Sequence, residues 1–195
     1  MEKKKIVKCV IDEDGKLGIT AMGLVDKPAI EENWIFLNEV KLQSLDEERR
    51  MIYGPALIPN KHILRVDDSG QEYYIFFDEK TVQKVAHQFF LKNLHHTTNL
   101  QHQTPVAGVT VVESWVKEGD SDKSIALGLS DKIPVGTWFI GSHVEDDAVW
   151  AEVKAGNVRG YSIEGLFSEV ALSLSQTSEE LFLKELEDLL NIAAS

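Results

Sequence analysis

The chain has 195 residues, enough for one sizeable domain and short for two. Acidic residues outnumber basic ones 32 to 20, and the resulting formal charge of −12 argues against nucleic acid or an anionic membrane as the main partner. A single cysteine, Cys9, excludes an intrachain disulfide, and no Cys/His cluster has zinc spacing, so the chain reads as cytosolic, with no metal or cofactor.

Met1–Lys5 has the charge of a signal peptide without its apolar core, and no segment approaches the ~20 apolar residues of a membrane span, so a soluble protein is expected. Ile6–Ile11 reads as a strand. The turn chemistry of Asp12-Glu13-Asp14-Gly15 joins it to a second strand at Gly18–Val25, a hairpin by local logic, which Pro28 ends. Residues 31–37 are candidates to pair again, and 38–50 read as a polar connector or short helix. Apolar Met51–Ile58 and, after the Asp67–Gly70 turn, Glu72–Phe77 read as core strands. Asp78–Thr81 opens a helix with Val82, Val85, Ala86, Phe89 and Phe90 on one face.

A histidine-bearing loop, 93–105, then delivers His102 to a strand at Val106–Trp115. Residues 117–131 read as a surface loop. Gly136–Val144 is expected as a strand, Glu145–Ala155 as a helix with Val149, Trp150 and Val153 inward, and Gly160–Val170 as a strand. Trp115, Trp138 and Trp150 read as core. Composition breaks after Val170: 1–172 forms the domain and 173–195 a separable tail, an acidic amphipathic helix at 179–193 capped by Ser178, with Leu183, Leu186, Leu189 and Leu190 striped for docking.

Chemistry concentrates in Gly156–Phe167. There Ser162 sits in a strand-like run between Gly160 and Gly165, which leave room for another chain or a bound carbonyl to approach. A serine hydroxyl needs a base to take its proton, usually a histidine oriented by a third group. His102, at a strand boundary ahead of the carboxylate Glu113, is better placed than His62, His87, His95, His96 or His143. Glu113 reads by default as a solvent-facing strand residue; Asp146, Asp147 and Glu164 are alternative acids, and Glu164 shares the strand parity of Ser162. Gly15-Lys16-Leu17-Gly18 lacks the further glycines and Lys-Ser/Thr ending of a phosphate loop.

With His102, the runs Val111-Val112-Glu113-Ser114-Trp115 and Gly136-Thr137-Trp138, and the passage from Trp150 through Lys154-Ala155-Gly156 to Gly160–Gly165, the chain resembles the head-maturation (prohead) serine proteases of tailed bacteriophages. Val25–Ile30 and Gly54–Asn60 extend that resemblance over roughly residues 17–168. The strand tally alone gives an α+β domain. The resemblance implies a mainly antiparallel, barrel-like form of it with peripheral helices, similar to herpesvirus assemblin. It implies a serine endopeptidase with Ser162 as nucleophile, His102 as base and Glu113 as orienting acid. Its substrates would be itself, the phage scaffold and, as a further candidate, the capsid protein, cut inside the assembling procapsid in the host cytoplasm. Self-association is a further expectation, and the contrasting reading is a non-enzymatic, scaffold-associated phage protein.

Overall fold

Twelve strands in three four-stranded sheets carry the fold in a computed structural model that describes residues 4–11, 17–26, 43–46, 49–67, 69–129 and 132–171. In chain order the strands are β1 (Ile6–Val10), β2 (Gly18–Val25), β3 (Gln43–Asp46), β4 (Met51–Leu57), β5 (Ile63–Val66), β6 (Glu72–Phe77), β7 (Thr98–Leu100), β8 (Thr104–Val106), β9 (Val109–Val116), β10 (Trp138–Val144), β11 (Gly160–Leu166) and β12 (Ser168–Ala171). The helices among the described residues are α1 (Glu79–Leu91), α2 (Lys123–Ala126) and α3 (Asp147–Ala155), with a 3₁₀ turn at Leu94–His96. The class is α+β. Only the β1–β6 and β2–β7 pairings are parallel, and no sheet closes into a barrel among the described residues.

The first sheet runs β12-β1-β6-β5, the second β3-β4-β10-β9 and the third β11-β2-β7-β8. β1 and β2 therefore stand in different sheets, and the expected hairpin between them does not form. Both edges of β2 are taken by more distant strands, β11 and β7, which suits a strand whose last four residues, Met22 to Val25, are all buried. Residues 43–46, expected in a connector, instead form β3 along β4. The single strand expected over 160–170 is two: β11 pairs with β2, and after Phe167 the chain crosses to pair β12 with β1. The residues expected to pair again at 31–37 and the tail from 173 lie outside the described residues.

Every residue of β4 is buried, and so are six of the seven in β10, its neighbour. α1 begins where expected. Asp78 Oδ1 accepts from the Thr81 amide at 2.9 Å, capping one of the donors that a helix start leaves open. Its inward stripe of Val82, Val85, Ala86 and Phe89 packs into the main core, with Phe89 edge-on to Trp138. Trp138 and Trp150 are buried as expected. Trp115 is half-buried, stacked on Phe139 over a smaller cluster with Leu129, from the loop 117–131, and Ile133, which follows it.

Candidate functional site

Tyr161 fixes where β11 lies. Its side chain is buried, and its hydroxyl reaches the Ile52 carbonyl at 3.1 Å and Ser142 Oγ at 2.9 Å, tying the edge strand of the third sheet to β4 and β10 of the second. Burial pushes its phenol above the ordinary tyrosine range. Because successive strand residues alternate in direction, Ser162 and Glu164 point away from Tyr161 and share one face.

Across the sheet Ser162 pairs with Gly23 of β2, and Gly23 pairs in turn with Asn99 of β7. Gly23 is the empty place in this row. A Cβ there would stand 2.8 Å from His102 Cε1 and 3.0 Å from both His102 Nδ1 and Asn99 Oδ1, so only glycine lets the imidazole lie against the strand. Directly opposed residues of antiparallel strands carry Cβ atoms about 4.5–5.5 Å apart on the same face. The His102 ring thus occupies the side-chain space directly beside Ser162.

His102 arrives there on a tight turn. The loop expected at 93–105 contains the hairpin β7–β8, closed by the Gln103 amide donating to the Leu100 carbonyl at 3.1 Å, with Gln101 and His102 both left-handed at φ 55° and 57°. Two such central residues define the type I′ hairpin turn, usually filled by Asn and Gly; a left-handed side-chain residue costs on the order of 1–3 kcal/mol. Hydrogen bonds hold it in place. The Gln101 amide donates to the Leu24 carbonyl at 2.9 Å, the Asp26 amide to Gln101 Oε1 at 3.2 Å, and the His102 amide to Asn99 Oδ1 at 3.1 Å.

His102 Nδ1 lies 2.6 Å from Glu164 Oε1, which also accepts from Asn99 Nδ2. Partial burial pushes the Glu164 carboxyl up, but hydrogen bonds from His102 and Asn99 and the charge of His102 outweigh it and hold the group below the usual carboxylate range. An ionised carboxylate can only accept, so Nδ1 carries a proton, and in the neutral form of the ring it is Nε2 that presents the lone pair. The Ser162 residue is 5% exposed, and no hydrogen bond joins its hydroxyl to His102 among the described residues.

Glu113 is elsewhere. On β9 it pairs with Gly141 of β10, receives the Tyr53 hydroxyl at 2.9 Å and forms an ion pair with Lys123, whose ammonium also sits over the Tyr53 and Trp115 rings. It makes no contact with His102, and the orienting contact expected of it is made by Glu164. Order along the chain favoured Glu113, on the strand that follows His102; register favours Glu164, two residues from Ser162 on the same face. Asn99 was missed, although its signal was present as an amide three residues before the histidine. The room expected at Gly165 is filled from within, by the Gly18 carbonyl and the Phe167 ring. Asp146 caps α3 and Asp147 pairs with Arg50, so neither serves His102. Among the described residues, no group of three or more His, Cys, Asp or Glu side chains could hold a metal ion, and no helix is long and apolar enough to cross a membrane.

Comparison with known proteins bears on this site. The family described as "Putative phage serine protease XkdF" matches residues 39–171, and the chain belongs to that family. Two Bacillus subtilis (strain 168) proteins are similar. The phage-like element PBSX protein XkdF is 25% identical over 158 residues, 75% of this chain and 52% of the relative. The uncharacterized protein YqbD is 26% identical over 172 residues, 83% of this chain and 48% of the relative. The chain thus spans about half the length of these relatives. No solved structure matches it.

Proposed function

We propose that this member of the phage serine protease family is a serine endopeptidase of head assembly in which Ser162 is the nucleophile, His102 the base and Glu164 the orienting acid. The observation that carries the reading is the His102–Glu164 contact of 2.6 Å on the face of the sheet that Ser162 shares. Nδ1–H donation to Glu164 fixes the tautomer and turns Nε2 toward proton transfer. In the reaction, the Ser162 proton passes to Nε2 as Oγ bonds to the scissile carbonyl carbon. The C–N bond then breaks, and the proton leaves with the amine. Water attacks the acyl-enzyme with His102 again as base, releasing the acid and restoring Ser162.

The substrates in this reading are the protease itself, the scaffold and, as a further candidate, the capsid protein within the procapsid, and kinship with assemblin belongs to the same proposal. One observation favours the alternative of a structural phage protein without activity: the low exposure of Ser162. Co-expression with the scaffold of the same phage separates the two. The wild-type chain should process the scaffold, while folded Ser162→Ala and His102→Ala variants should each abolish processing, with the double variant no worse than either. Processing by folded Ser162→Ala would contradict the serine mechanism.

A further inference from the structure

Asn99 stands in the row of the third sheet that carries the site, between Gly23 on β2 and Pro105 on β8. Neither neighbour has a polar side chain to compete for its amide. The two ends of this half-buried amide serve different parts of the site. Oδ1 accepts from the His102 backbone N–H at 3.1 Å, and Nδ2 donates to Glu164 Oε1, the same oxygen that faces His102 Nδ1. Chemistry fixes that orientation: a backbone N–H can only donate and an ionised carboxylate can only accept, so the amide oxygen must face the turn and the nitrogen the acid. Both partners need such a hold. Gln101 and His102 are left-handed, a conformation that side-chain residues keep only where their surroundings impose it. Glu164 ends in a torsion without a sharp preference, so contact with the imidazole alone would leave its carboxylate free to swing.

Resting on the serine-protease reading, we infer that Asn99 is a positioning residue of this site, its one amide holding the His102 turn and the Glu164 carboxylate in register with each other. The imidazole is then fixed at its backbone and at Nδ1 by groups that answer to the same strand, β7. In this role Asn99 acts only through the base and its acid. Aspartate has the same shape but no donor, so it could satisfy the turn and not the carboxylate. That difference separates a residue that positions the acid from one that merely closes a hairpin.

The test follows the rate at which a small fluorophosphonate modifies Ser162 in the full chain across a pH series. Asn99→Ala removes both bonds and should slow modification at least ~10-fold, because small misplacements of reacting groups are costly. Asn99→Asp keeps an oxygen for the His102 N–H and sets a second carboxylate against Glu164; the added negative charge holds a proton on the imidazole to higher pH. Its rate should therefore fall at neutral pH and recover towards that of the wild type as the pH is raised, the acid limb of the profile moving up by at least about one pH unit. A wild-type rate and profile in Asn99→Asp would overturn the inference and leave Ser162 standing as the nucleophile. An Asn99→Asp chain that does not fold would also overturn it, by placing the amide in the stability of β7. Being isosteric, this variant decides even if Asn99→Ala fails to fold. No modification of Ser162 in the wild-type chain would overturn the serine reading itself, and this inference with it.

Discussion

Gly23 and Glu164 are the residues on which the site turns, and neither is a nucleophile or a base. Gly23→Ala should leave the fold cooperative while pushing the imidazole off β2. A misplacement of about 1 Å costs on the order of 10²-fold in rate, measurable as kcat/KM on a cleaved peptide. Glu164→Gln should lower kcat by roughly 10²–10⁴-fold with little change in Tm, because the amide keeps the shape but not the charge opposite Nδ1. Glu113→Gln should leave the rate within about twofold, since its partners are Tyr53 and Lys123. The reverse pattern in these two variants would restore Glu113. Ser162 and His102 could be nominated from the sequence because their local settings, a glycine-flanked strand and a polar strand boundary, are short-range features. The choice among carboxylates depended on which strands meet across a sheet, and no local pattern reports that.

Asp78 shows what an element adds. It caps α1, receives Lys8 Nζ at 2.6 Å, and its carboxyl is held at about 2: partial burial pushes it up, and hydrogen bonds from Lys8 and Thr81 outweigh that. A depressed folded-state pKa contributes stability that is complete above the ordinary carboxylate value and is lost as pH falls through the folded one. Unfolding midpoints of the wild-type chain should therefore decline between about pH 4 and pH 2 more steeply than those of Asp78→Ala. That variant should itself lose about 0.5–2 kcal/mol at neutral pH. Equal acid profiles would show that the cap carries no such linkage. Glu164, depressed by His102 and Asn99, adds to the same acid-side loss. α1 was legible because a cap and an apolar stripe lie within a few residues of each other, and α3 from its apolar stripe alone. The β1–β2 hairpin was misread because β2 is bound on both edges by strands far along the chain. β3, four residues of mixed polarity, carries no alternation long enough to announce a strand.

At the scale of the whole molecule, the third sheet brings residues 23, 99, 102, 162 and 164 to one face, and Tyr161 locks that sheet to the second. We propose that such a site works without the segment from 173 onward, whose composition differs from that of the preceding residues. Deleting residues 173–195 should preserve a cooperative thermal transition and hydrolysis of a short peptide while weakening co-assembly with scaffold. A truncated chain that fails to fold would place that segment in the core. The central claim, that His102 activates Ser162, is tested most directly by the rate at which a small fluorophosphonate modifies the intact protein, with the site mapped by peptide mass. Stoichiometric modification of Ser162 that slows by at least ~10²-fold in folded His102→Ala is the result this account predicts. No adduct at Ser162, or an equal rate without the histidine, would contradict it.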